Sequence, residues 1–191
     1  MGLFKESDLR NRAERSATLQ KSAGTILNEK AQAAAALERF NIFLSHSFHD
    51  HKLILGARLT LEEIGYNVYV DWIHGRQLSR DNVTKETAAI LRSRMRKSRS
   101  LLFATTANSS ESIWMPWELG YMDGYRGRTA ILPVSQSDRD SYQGQEYLGI
   151  YPYASKDPMK GEKRDRLWIN TSTTCYVSFE QWVEGREPYE R

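Results

Sequence analysis

The sequence is poor in cysteine, with Cys175 the single one in 191 residues. One thiol excludes an intramolecular disulfide and any zinc site built from several cysteines, and a reducing compartment is the simpler setting. Apolar residues make up 40% of the chain, yet no run of them approaches the roughly 18 residues that cross a bilayer. The opening MGLFKESDLRNRAERS lacks the apolar segment of a secretory leader. Its Ser7 stands one place later than N-myristoylation requires, so neither a leader nor a lipid anchor is expected. A cytoplasmic protein with no membrane partner follows as the expectation. A charge excess is missing too: 27 Lys and Arg face 24 Asp and Glu, a formal net charge of +3. That balance gives no general field for nucleic acid. The densest basic run, RSRMRKSR from Arg92 to Arg99, lies where a helix should end and interleaves no aromatic residue for base stacking. No nucleic-acid partner is expected. Also absent are GxGxxG after a strand, GxxxxGK[ST], HExxH and GxSxG.

What is present describes one folded domain of ordinary size, with 11% aromatic residues and charges of both signs throughout. Residues 1–38 are polar and then alanine-rich, and Ile26, Leu27, Ala31, Ala34 and Leu37 form a rough helical stripe. They read as an N-terminal helical extension laid against the main body or against a partner. The main domain is expected over 39–185, with a tail at 186–191. NIFLS at 41–45 is an apolar run of the kind buried on both faces of a sheet. The HSFHD loop follows, Asp50 is placed to cap the next helix, and Leu53, Ala57, Leu61 and Ile64 repeat at helical spacing until Gly65. Further strands are expected at 67–71, 100–106, 129–134 and 167–170, with helices near 83–95 and 114–125. The stretch after Val134 has no clear period and reads mostly as loop. Ser178 and Gln181 make a capping box for a last short helix carrying Phe179 and Trp182.

Strands alternating with helices imply a parallel sheet of about five strands covered on both faces, because each parallel crossover needs a helix to return the chain. In such sheets ligands bind beyond the carboxyl ends of the strands. SHSFHD, DWIHGRQ and TTANSSESIW therefore share one rim. The segment WMPWELGY at 114–121 starts a helix on that rim: Pro116 fits only the first turn, and Glu118 lies one turn after Trp114 on the same face. The residues alone leave Glu118 open between chemistry and complementing the helix dipole, with Trp114 and Trp117 filling the core. His46, His49 and His51 invite a metal reading, but their companions are only Asp50 and distant Asp71, so a polar loop is the simpler account and no metal is expected. Asp71, ending its strand, also suits a loop-capping role.

Taken in order, NIFLSHSFHD, GYNVYVDW, LLFATTANSSESIWMPWELG, TAILPV and FEQW resemble the TIR (Toll/interleukin-1 receptor) domain family from about Asn41 to Trp182. FLSHSFHD looks like the family's first box, and FEQW is a looser match to its last, which usually has adjacent Phe and Trp. Trp114-Met-Pro-Trp-Glu118 has the WxxxE form of catalytic members. The resemblance implies a flavodoxin-like three-layer α/β sandwich and cleavage of NAD+, as substrate and not cofactor, at the nicotinamide–ribose bond. The products are ADP-ribose or a cyclic or conjugated signalling nucleotide. It implies Glu118 as the catalytic carboxylate and Ser45, His46, Phe48, Asp71, Trp72, Arg76 and Trp114 as substrate-binding residues. Positions 47 and 48 are Ser and Phe where some relatives carry basic residues, which leaves Arg76 and Arg80 as candidates for the diphosphate.

One carboxylate suffices for this chemistry. Ordinary glycosidases need two because a sugar oxygen must be protonated to leave. Nicotinamide leaves from a cationic pyridinium as a neutral molecule, so what needs help is the oxocarbenium-like ribose, through a nearby negative charge. The expectation is a stand-alone TIR enzyme of bacterial anti-phage defence, of the Thoeris kind, which self-associates and signals to a separate effector protein. Two rivals stand beside it: a non-catalytic TIR adaptor with residues 1–38 as a docking arm, and a nucleoside deoxyribosyltransferase-like enzyme.

Overall fold

The computed structural model describes residues 2–16, 22–27, 29, 39–70 and 85–191. Its elements are β1 (Phe4–Lys5), α1 (Glu6–Ser16), β2 (Phe40–Ser45), α2 (His51–Ile64), β3 (Val68–Val70), α3 (Lys85–Arg96) and β4 (Ser98–Thr105). There follow α4 (Trp114–Arg126), β5 (Thr129–Ser135), β6 (Tyr153–Pro158), β7 (Asp165–Asn170), β8 (Cys175–Ser178), α5 (Phe179–Val183) and β9 (Tyr189–Glu190). The strands lie in the order β3-β2-β4-β5-β6-β7-β8-β9, with β1 beside β5.

The pleat sorts the buried side chains into two layers. Ile42 and Leu44 of β2, Leu102 of β4 and Leu132 of β5 join Leu53 and Leu61 of α2, Leu9 of α1 and Trp182 of α5. Phe43, Leu101, Phe103 and Ile131 face the other way, onto Leu91 and Met95 of α3 and Met115, Leu119 and Met122 of α4. This is the period-2 alternation of strands buried on both faces, and it yields the expected three-layer α/β sandwich. Gly65 ends α2 in the left-handed region, φ 116°, its N–H donating to the carbonyls of Glu62 and Leu61. Ser178 caps α5 by accepting from the Gln181 N–H.

The last part of the sheet differs from expectation. β3, β2, β4 and β5 are parallel, and the fifth parallel member is β6, which joins β5 through Ile131 and Tyr153. The segment expected as fifth strand, 167–170, lies in β7, which runs antiparallel to β6, and β8 and β9 extend the same meander. β6 was read as loop because YASKDP carries little apolar signal. Its buried Ser155 is satisfied by the Asn170 side-chain amide at 2.9 Å, and Lys156 pairs with Asp165 at 2.9 Å. Pairing with β7, not local propensity, makes it a strand.

Within the segment read as an extension, β1 adds to β5 in parallel, Phe4 opposite Val134, and Gly2 bridges Lys156. Phe4, Leu9 and Ala13 are buried in the first core layer. α1 crosses α2 at Gly56, where a Cβ would stand 2.1 Å from the Leu9 carbonyl oxygen. In the segment read as tail, Tyr189 and Glu190 pair with β8.

Two rim loops are sewn together by Asp50. No side-chain cap is made by this residue for α2. Its carboxylate instead accepts from the Thr106 hydroxyl at 2.5 Å and the Asn108 amide at 2.7 Å. The capping expectation is thereby corrected: the short 3-10 turn Phe48–Asp50 precedes the helix and points the carboxylate across the sheet edge. The loop after β2 and the loop leading to α4 are fixed to each other at that point.

Gly56→Ala tests the helix crossing. In an ordinary helix interior it would add about 1 kcal/mol of stability. Here the new methyl meets backbone, so a loss of about 1–3 kcal/mol is expected as a lower melting temperature; a rise would mean that α1 does not lie on Gly56. Asp50→Ala takes a buried, charged acceptor from two half-buried donors and should cost about 1–3 kcal/mol in urea unfolding. Unchanged stability would show that water replaces the carboxylate.

Candidate active site

Ser45 is the last residue of β2, at the carboxyl edge of the parallel sheet, opposite Phe103 of β4. From β2 the chain passes to β3 on one side and later to β4 on the other, so this edge is the topological switch point, where open α/β sheets hold their ligands. Glu118 reaches the same point from α4. The helix starts where expected: the Ser112 hydroxyl accepts from the Met115 N–H at 3.4 Å, and Pro116, which has no N–H to satisfy, occupies the first turn.

Glu118 does not behave as a dipole complement. Its residue is only 5% exposed, and it faces inward with Met115, Leu119 and Met122. The Ser45 hydroxyl, 1% exposed, donates to Glu118 Oε2 at 2.5 Å. A buried carboxylate without such a partner would be strongly disfavoured. Burial and a fixed donor are the conditions under which a carboxylate acts on a developing positive charge at short range.

Trp114 is half-buried, its ring edge-on to Trp117 at 5.4 Å. Trp117 is not a core residue as expected; it is half-buried and stacks on Tyr121 at 5.8 Å, which stacks on Tyr125 at 6.0 Å. The spacing 117, 121, 125 places these rings in one row along the side of α4, while the inward positions belong to methionine, leucine and Glu118.

Other expected residues are distributed around the rim. His46 is half-buried and its Nδ1–H donates to the Ser47 carbonyl at 3.0 Å. Phe48, 39% exposed, lies in the 3-10 turn with its ring 6.2 Å from His49. Asp71, Trp72, Arg76 and Arg80 lie outside the described residues. His49 Nε2 stands 3.9 Å from Glu111. Among the described residues no group of three His, Cys, Asp or Glu side chains is arranged to hold a metal, and no helix is long and apolar enough to cross a membrane.

Two rim residues carried no sequence signal. Tyr142 comes from the irregular stretch after β5 and lies beside Thr105, at the end of β4. Burial pushes its phenol up, against a smaller opposite effect of the Thr105 side chain. Tyr153, whose ring lies 6.1 Å from Tyr142, is likewise pushed up by burial. Both remain neutral phenols at physiological pH.

No family model matches the chain. Over 193 aligned residues it is 47% identical to a protein of Bacillus cereus (strain MSX-D12) named "Probable 3' cyclic ADP-D-ribose synthase ThsB'", an alignment that covers 96% of this chain and 99% of that relative. It is also 31% identical over 83 residues, 43% of this chain and 22% of the relative, to "Putative cyclic ADP-D-ribose synthase TIR2" of Cytobacillus dafuensis. Near-full-length similarity of this degree, on a parallel sheet whose switch point holds the glutamate of the WxxxE helix, shows that the chain belongs to the TIR domain family.

Proposed function

We propose that the protein cleaves NAD+ at the nicotinamide–ribose bond and closes the remaining ADP-ribose into a ring, with Glu118 as the catalytic carboxylate. The observation that carries this reading is the buried Glu118 held by Ser45 at the carboxyl edge of β2. The names of both relatives, cyclic ADP-D-ribose synthases, support the same chemistry.

The bond between the ribose anomeric carbon and the pyridinium nitrogen breaks, and nicotinamide leaves neutral with the electron pair. The ribosyl carbon becomes oxocarbenium-like, and the Glu118 carboxylate stabilises that charge. Attack by a hydroxyl of the same ADP-ribose forms the cyclic product and releases a proton; attack by water gives ADP-ribose instead. Trp114 and Phe48 are the aromatic surfaces on the described part of the rim, suited to flat rings and to excluding water. Cyclisation requires that the internal hydroxyl reach the carbon before water does, and positioning alone supplies large advantages of that kind.

The test is nicotinamide release from NAD+ by the purified chain, in dilute and in crowded solution because self-association is expected of the family. Glu118→Gln keeps an acceptor for Ser45 but removes the charge, so the fold should survive while release falls by roughly 100-fold or more. Equal release by both proteins would remove Glu118 from the mechanism, and no release by the wild type under either condition would overturn the activity. Mass spectrometry separates the two fates, since a cyclic product is one water lighter than ADP-ribose.

A further inference from the structure

We propose that Ser45 is a positioning residue for Glu118 and not a contact for the substrate, an assignment that rests on the reading of Glu118 given above. A carboxylate has no proton to donate, so the 2.5 Å bond uses the single proton of the Ser45 hydroxyl. That proton is therefore not available to a ribose or phosphate oxygen. The serine is well placed to act as an anchor. Its backbone is fixed in the ladder between β2 and β4, and the residue is 1% exposed. Glutamate has three rotatable side-chain bonds, and a donor fixed to the sheet selects among their rotamers before any substrate arrives. The bond also favours the charged form of the carboxylate, the form that stabilises a ribosyl cation.

Ser47 provides an internal contrast. It lies two residues further along the chain, just past the end of β2, is equally buried at 1%, and its hydroxyl has no hydrogen-bond partner among the described residues. Removing that hydroxyl takes the same kind of oxygen from a neighbouring buried position and leaves the Ser45–Glu118 bond in place.

The experiment compares Ser45→Ala, Ser47→Ala and the wild type as full chains. On the ligand-free proteins, carbon-13 NMR follows protonation of the Glu118 carboxyl. The titration of Glu118 should move to higher pH in Ser45→Ala and stay in place in Ser47→Ala. In NAD+ cleavage, Ser45→Ala should lose about 10–100-fold in kcat, on the order of one charge-assisted hydrogen bond, with KM within about twofold. The acid limb of its kcat profile should move to higher pH. A raised KM with kcat unchanged would identify Ser45 as a substrate contact and overturn the proposal. An unmoved Glu118 titration would overturn it as well, as would equal effects of both alanine variants. Ser45→Cys keeps the volume with a weaker donor and repeats each comparison if melting shows Ser45→Ala to be unfolded. The titration needs no turnover, so absence of NAD+ cleavage beside a moved titration would reject the activity and leave the positioning intact.

Discussion

Ser45 and Glu118 are 73 residues apart in the chain and joined by a hydrogen bond inside the protein. A carboxylate taken out of water at the end of a sheet is tolerated only where a donor is already waiting, because its own desolvation works against the fold. Several parts of the architecture serve that one contact. The β2–β4 ladder fixes the serine, and the bond from the Met115 N–H to the Ser112 hydroxyl, with Pro116 in the first turn, fixes where α4 begins. Met115, Leu119 and Met122 press the inner side of the helix onto the second core layer. If any one of these moved, Glu118 would lose its Ser45 donor.

The rim around this contact is organised by polar stitches more than by packing. Asp50 ties the loop after β2 to the loop before α4 through Thr106 and Asn108. Hydrogen bonds of this kind fix relative loop positions with little apolar surface, which suits an edge that must admit a polar substrate. The cost is that each stitch leaves a stranded donor when its acceptor is removed, so the rim depends on single residues in a way that the core does not.

Legibility from sequence followed the physics of each feature. β2, β4 and β5 are apolar runs because both faces are buried, and such runs are visible locally. Gly65 and Ser178 were visible because left-handed backbone and helix capping each demand a particular residue. β6 was not visible, since its stability comes from β7 through Asn170 and Ser155 and from one ion pair. Asp50 was misread for a related reason: an aspartate before a helix satisfies a local rule, while its actual partners lie 56 and 58 residues away. The WxxxE helix was legible as a helix from its proline, but Glu118 facing inward onto Ser45 is a tertiary fact that periodicity could not separate from a dipole complement.

The two outcomes open to a ribosyl cation, ring closure and hydrolysis, share the bond-breaking step and differ only in the attacking oxygen. In the proposed mechanism Glu118 acts before they diverge, so it would govern rate and be indifferent to product. The choice belongs to groups that bring an internal hydroxyl to the anomeric carbon and keep water away from it. On the described part of the rim those are the half-buried ring of Trp114, the exposed ring of Phe48 and the half-buried, neutral phenol of Tyr142. None of these carries charge, and a wall of uncharged rings and hydroxyls neither competes for the cation nor activates a water molecule. With Glu118 Oε2 accepting from Ser45, the proposed mechanism needs no second base until the attacking hydroxyl has already bonded and become strongly acidic. Under that mechanism proton removal follows carbon–oxygen bond formation, and the geometry of the bound ADP-ribose would decide the product.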